Sequence, residues 1–185
     1  MESERPQRAE VDSSTIQLAS QRDKPALGRI YDAYAALLYR YIYSRVGNAP
    51  DAEDITAQTF LAVIESLPRY QPRENFSAWI FQIARNKSAD HFRKFRIQEE
   101  ISESLADPNQ SAALDVIIKN ESHTRLKSLL HLLSEDEREL IRLRYTVELS
   151  FVEIANVLGR KEDAVRKSIK RILDRLSTQM EAQNA

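Results

Sequence analysis

Apolar side chains recur at steps of three and four along most of this chain, and no segment alternates at the step of two that a half-buried strand requires. That period predicts an all-α fold. The breaks are few and sharp. The only glycines are Gly28, Gly47 and Gly159, and prolines gather near Pro50, Pro68, Pro72 and Pro108. A first helix is expected from about Lys24 to Val46, with Leu27, Ile30, Tyr31, Tyr34, Leu38, Tyr41, Ile42 and Val46 inward. A second is expected from near Pro50 to about Leu67, since proline is tolerated in a helix's first turn. A third begins near Asn75 or Ser77, either of which can cap it, and carries Trp79, Ile80, Ile83 and Ala84 inward to about Phe95. Trp79 is assigned to the core.

The pattern fades between Gln98 and Ser111, where Ser102, Ser104, Asp107, Pro108, Asn109 and Gln110 read as linker. Fully extended at ~3.3–3.6 Å per residue, that stretch reaches about 50 Å, more than one turn of DNA at roughly 34 Å. The expected organisation is therefore a polar tail over 1–20, a helical domain over 21–97, a linker over 98–111, a second helical domain over 112–180 and a short tail over 181–185. The second domain opens with a helix through Leu114, Ile117, Ile118, Leu126, Leu129, Leu130 and Leu133. Ser134 then caps a short helix through Leu140, Ile141, Leu143 and Tyr145, with Glu137 completing a capping box.

Composition removes several function classes. There is no cysteine, hence no disulfide, thiolate zinc site or thiol nucleophile, which fits a reducing cytoplasm. His91, His123 and His131 are scattered, and Asp51, Glu53 and Asp54 share one helical turn without a partner carboxylate, so no metal or other cofactor is expected. No phosphate-binding glycine loop or catalytic triad is present, and an enzyme is not expected. No apolar run nears the ~20 residues of a membrane span. The net charge of −1 conceals segregation, with bases collected at Arg85 to Arg96 and Arg160 to Arg175. Nucleic-acid binding needs such a local surface, not a basic whole.

Ser150 to Leu176 carries the most specific local pattern. Ser150 caps a short helix ending at Leu158, Gly159 supplies a left-handed turn, and a longer helix follows from about Glu162 to Ser177. Val165, Ile169, Ile172, Leu173 and Leu176 face inward, and Ala155 is small where the two helices cross. The opposite face carries Arg160, Lys161, Arg166, Lys167, Lys170 and Arg171. This is a helix-turn-helix whose second helix suits a major groove. Arginine there can bond guanine in bidentate fashion, and the remaining bases can hold phosphates.

The first half narrows the choice. Asp51-Ala52-Glu53-Asp54-Ile55-Thr56, Thr59-Phe60-Leu61, and Trp79-Ile80 leading to Ile83-Ala84-Arg85-Asn86 with Asp90 and Arg93 resemble region 2 of the group IV (extracytoplasmic function, ECF) sigma factors of the sigma-70 family. Leu140-Ile141-Arg142-Leu143-Arg144, Ser150, Glu153-Ile154-Ala155, Leu158-Gly159 and Val165-Arg166 resemble their region 4. The two occur in family order and span about Lys24 to Gln179. The resemblance implies two helical DNA-binding domains joined by a linker, without a region 1.1 or region 3 domain. Region 2 would bind the β′ clamp helices of core RNA polymerase and open the −10 element. Region 4 would bind the −35 element and the β flap. It also implies an anti-sigma factor as a regulatory partner.

Roles follow from the matched positions. Asp51, Glu53, Asp54 and Gln58 resemble the polymerase-binding surface, although acids at a helix start also oppose its dipole, and both readings can hold together. Arg69, Tyr70, Arg73 and Asn75 lie in the segment resembling the one that captures a base flipped from the −10 strand. Asn86 matches the family asparagine beside that pocket. Arg85, Lys87 and Arg93 interleave with Phe81, Phe92 and Phe95, the mixture of cations and aromatics that single-stranded DNA requires. The sequence does not say which of these phenylalanines are core. Arg160, Lys161, Arg166, Lys167, Ser168, Lys170 and Arg171 form the −35 set. Ser134 departs from the proline of many relatives. Glu162 and Asp163 place acid at the recognition-helix start, where they can cap, accept from cytosine or exclude sequences.

Two other readings compete. A non-sigma regulator with a LuxR-like helix-turn-helix would bind duplex DNA without polymerase, but has no need of the Asp51–Thr56 and Ile83–Asn86 patterns. A sigma-mimicking adaptor that binds an anti-sigma factor would need the fold but not the basic face, which is intact here.

Overall fold

The computed structural model describes residues 11–71, 75–101 and 132–184, with side chains described through 94 in the second stretch and through 181 in the third. Contacts divide the chain into two compact units, Met1–Ala113 and Leu114–Ala185. Among the described residues the regular structure is entirely helical.

The first unit holds α1 (Ser13–Ser20), α2 (Lys24–Val46), α3 (Ala49–Ser66), a 3-10 turn (Leu67–Arg69) and α4 (Phe76–Ile101). Local chemistry sets each boundary. Asp23 accepts from the Ala26 N–H at 2.8 Å and Pro25 occupies the first turn of α2. That helix stops at Gly47, whose φ of 81° is left-handed. Asn48 caps α3 by accepting from the Asp51 N–H at 2.9 Å. Of the two candidate caps for α4 it is Asn75 that serves, accepting from the Ala78 N–H at 3.0 Å.

Tyr34, Leu38, Tyr41 and Ile42 of α2, Ile55, Phe60 and Val63 of α3, and Ile80, Phe81 and Ala84 of α4 meet in one buried core. Burying each large apolar side chain contributes ~1.5–3 kcal/mol. The ring of Tyr41 meets Phe81 edge-on at 5.5 Å. Two core hydroxyls are satisfied within their own helices, Thr59 by the Ile55 carbonyl and Ser88 by the Ala84 carbonyl.

Several expectations need correction. Residues 13–20, placed in the polar tail over 1–20, form a helix capped by Asp12 and packed through Thr15 and Ala19. The Asp12 carboxyl sits below its ordinary pKa because it accepts the Thr15 N–H. At the other end, α4 continues past Phe95 to Ile101, through the first residues assigned to the linker. Tyr31, expected inward, is 54% exposed and lies against Phe60 at 4.8 Å. The helix expected through Leu114 to Leu130, the linker residues from Ser102 and the first ten residues lie outside the described set.

The second unit contains α5 (Glu135–Ile141), a π-helical turn (Arg142–Thr146), α6 (Phe151–Leu158) and α7 (Glu162–Asn184). Both predicted caps form complete capping boxes, Ser134 with Glu137 and Ser150 with Glu153. Glu137 also accepts from Arg175 of α7 at 2.8 Å. That bond, then the Ser134 N–H, holds its carboxyl below the ordinary glutamate value. The wide turn after α5 replaces the expected continuation to Tyr145. Its exit brings the Leu149 N–H to the Leu143 carbonyl at 2.9 Å and sends Val147 and Leu149 into the core. They join Leu140, Leu143, Ile154, Ala155, Val165, Ile169, Ile172 and Leu176. Leu173, expected inward, is 40% exposed.

Candidate functional site

The acidic set heads α3. Asp51 is drawn back, accepting from the Asn48 side chain at 2.7 Å and lying 3.3 Å from His91 Nε2 of α4. Glu53, Asp54 and Gln58 face outward, and the Gln58 amide donates to Asp54 at 2.5 Å. Leu61, quoted above only as part of the region 2 resemblance, and Ile64, farther along the same helix, are exposed apolar residues to which sequence reasoning gave no surface role. Helical period alone turns them inward or outward with small changes of phase. The face therefore offers carboxylates followed by apolar surface, a combination suited to a partner helix.

The −10 set is split among elements. Arg69 ends the 3-10 turn and is exposed. Tyr70 is half-buried in an aromatic cluster, 5.3 Å from Phe76 and 4.8 Å from Trp79. Trp79 is itself half-buried, at the edge of the core rather than within it. Asn75 is exposed but spends its side-chain oxygen as the α4 cap. Arg73 lies outside the described residues.

On α4, Asn86 is exposed, Arg85 and Lys87 are half-exposed, and Arg93 is exposed with a 2.8 Å bond to Asp90. Phe81 is fully buried and so belongs to the core. Phe92 is 40% exposed and remains available to a base. The Phe95 side chain lies outside the described set.

The −35 set occupies the turn and α7. Gly159 has φ of 62°, and no atom lies within 4 Å of where its Cβ would be, so only backbone conformation selects glycine there. Val165, Ile169 and Ile172 fix the inner face of α7. Arg160, Lys161, Arg166, Lys167, Lys170 and Arg171 are exposed on the remaining surface, with Ser168 half-exposed. Arg160 donates to the Ser168 hydroxyl at 2.9 Å. Arg166 donates to Glu162 at 2.6 Å, so the acid at the start of α7 engages that arginine directly. The guanidinium of Arg166 also lies 4.4 Å from the centre of the Phe151 ring, and that of Arg144 lies 4.6 Å from it. Sequence reasoning quoted Arg144 only in the region 4 resemblance and gave neither it nor Phe151 a place beside Arg166, because nothing in the helical period brings them there.

Among the described residues no group of three or more His, Asp or Glu is placed to hold a metal ion. No described helix is long and apolar enough to cross a membrane.

Family comparison matches residues 30–96 to sigma-70 region 2 and residues 129–178 to sigma-70 region 4. The ECF RNA polymerase sigma factor SigD of Mycobacterium tuberculosis is 34% identical over 173 residues, covering 86% of this chain and 79% of that protein. This chain belongs to the ECF sigma factors of the sigma-70 family. Another relative, the ECF RNA polymerase sigma factor BldN of Streptomyces coelicolor, is 36% identical over 156 residues. That match covers 82% of this sigma factor and 59% of BldN, so the chain spans less than two thirds of that relative's length. Among solved structures, CnrH in complex with the cytosolic domain of CnrY is similar at a TM-score of 0.70 and 26% identity, covering 94% of this chain and 99% of CnrH.

Proposed function

We propose that this sigma factor directs promoter-specific initiation through a division of labour between its two units. Region 2 binds the β′ clamp helices through the outward acids of α3, Glu53 and Asp54, with Gln58 beside them and Asp51 anchoring the helix head. It opens the −10 element, capturing unstacked bases near Arg69, Tyr70, Arg73 and Asn75 and holding the strand along Arg85, Asn86, Lys87 and Arg93. Region 4 reads the duplex −35 element through Arg160, Lys161, Arg166, Lys167, Ser168, Lys170 and Arg171, and engages the β flap. The domain limits that go with this reading are 21–97 and 112–180, with the intervening chain spanning the promoter spacer.

The observation that carries the reading is the ordered pair of matches in one chain, region 2 at 30–96 followed by region 4 at 129–178. A duplex-binding regulator needs only the second. The exposed basic face of α7 supports DNA binding and weighs against the adaptor. In this reading the protein makes and breaks no covalent bond, and initiation chemistry belongs to the polymerase. It works in the cytoplasm, where polymerase and chromosome are. CnrH was solved with the cytosolic domain of CnrY, and that similarity supports a protein partner for this chain, here read as an anti-sigma factor.

The test is a reconstitution. Core polymerase plus the full chain should form a stable holoenzyme, and permanganate should then modify thymines only around the −10 element of a responsive promoter. A stable complex with duplex DNA that needs no polymerase and never opens would overturn the proposal in favour of the regulator.

A further inference from the structure

We infer that Phe151 is a positioning residue for −35 recognition: its ring holds the guanidinium of Arg166 in a fixed pose before DNA arrives. This deepens the proposed function and rests on the reading that α7 enters the −35 groove.

A continuous chain of contacts crosses three elements. Arg144, in the π-helical turn, donates to the Leu149 carbonyl at 2.9 Å, which ties it to the backbone just ahead of α6. Its guanidinium lies over the Phe151 ring at 4.6 Å. Phe151 is the first residue of α6 and is half-buried. Arg166 of α7 lies over the same ring at 4.4 Å. On its polar edge, Arg166 donates to Glu162 one turn earlier at 2.6 Å. Ring and carboxylate thus constrain the guanidinium on a face and on an edge.

An exposed arginine normally samples many rotamers and loses that freedom when it docks. Arg166 is exposed, yet these two contacts restrict it in the free protein. A cation over an aromatic face is favourable at a partly exposed site, and a planar guanidinium stacks without spending its N–H donors. Donors not committed to Glu162 then stay directed along the guanidinium plane, the geometry needed for a bidentate bond to a guanine edge. Phe151 has no hydrogen-bonding group of its own, so its contribution to base choice must pass through Arg166.

The test uses holoenzyme assembled from core polymerase and the full chain, transcribing a promoter library randomised across the −35 element. Sequencing of the products gives base preference at each position. Phe151→Leu and Phe151→Met keep apolar bulk but remove the ring, and Phe151→Tyr keeps the ring. The ring-less variants should lose about threefold to tenfold of the preference at the one position that Arg166→Ala also erases. The double variant Phe151→Leu/Arg166→Ala should be no worse than Arg166→Ala alone, and Phe151→Tyr should retain the preference. Core affinity and thermal unfolding, read in parallel, separate this from damage to the fold. Full preference in a folded ring-less variant, with Arg166→Ala impaired, would overturn the positioning role while leaving the groove reading intact. Full preference in Arg166→Ala itself would remove the groove reading and this inference with it.

Discussion

The carboxylate of Asp51 lies 3.3 Å from Nε2 of His91, joining the first turn of α3 to the middle of α4. The same carboxylate accepts from Asn48. Asp51 is thus committed to holding the helix head, whereas Asp54, one turn nearer the exposed face, is bonded only laterally to Gln58 among the described contacts. Of the four residues assigned together from sequence, Asp51 is an anchor, while Glu53, Asp54 and Gln58 stay exposed.

Asp54→Lys should lower affinity for core polymerase by about tenfold or more, since reversing an interface charge adds repulsion to the lost attraction. Its far-UV circular dichroism and melting temperature should stay at the wild-type values. Asp51→Asn should change core affinity by less than the Asp54 variant does. Titration of labelled core polymerase checks both, and unchanged affinity in Asp54→Lys would remove the clamp assignment.

Arg171→Ala should weaken −35-dependent promoter selection and leave core binding intact, because Arg171 is exposed on α7 and faces away from Ile169 and Ile172. If it holds a phosphate, the salt dependence of duplex binding should shallow by about one in slope. Binding isotherms across a salt series measure this. Loss of core binding instead would place Arg171 in the polymerase interface.

Much of this was legible in the sequence because helix ends are local. Asn75, Ser134 and Ser150 cap where their side chains predict, and Gly159 ends α6 in the left-handed conformation that glycine adopts without strain. What was not legible depends on tertiary packing. Phe81 and Phe92 differ in fate, one fully buried and one exposed, because α4 meets α2 and α3 on only part of its surface. Ser13–Ser20 carries too little apolar residue to announce a helix, yet Asp12 caps it and α2 receives it. The π-helical turn at Arg142 rephases the chain, and that shift brings Arg144 to Phe151.

Gly159→Ala should destabilise region 4 by roughly 1–2 kcal/mol, the cost of a left-handed alanine. No neighbouring atom would be struck, so the penalty is backbone strain alone. Thermal unfolding of the purified chain measures it. A variant as stable as the wild type would mean that the turn relaxes to another conformation.

The depressed Glu137 carboxyl makes region 4 sensitive to acid. A group whose folded pKa lies below its unfolded value stabilises the fold above the unfolded value, near 4.3 for glutamate, and loses that contribution as pH falls through the folded value. Glu137→Gln should therefore lower stability at neutral pH, where the carboxylate that accepts from Arg175 is lost. The difference from wild type should vanish on the acid side of that window. Denaturant titrations at neutral and acidic pH test the sign, and a gap that widened toward acid would contradict it.

The most direct measurement of the central claim is transcription from a pooled genomic promoter library by purified core polymerase, with and without this chain. The account predicts discrete start sites that appear only with the chain, each preceded by shared −10 and −35 sequences. Transcription that is unchanged by the chain, with core polymerase shown to be competent with another sigma factor of its own organism, would contradict it.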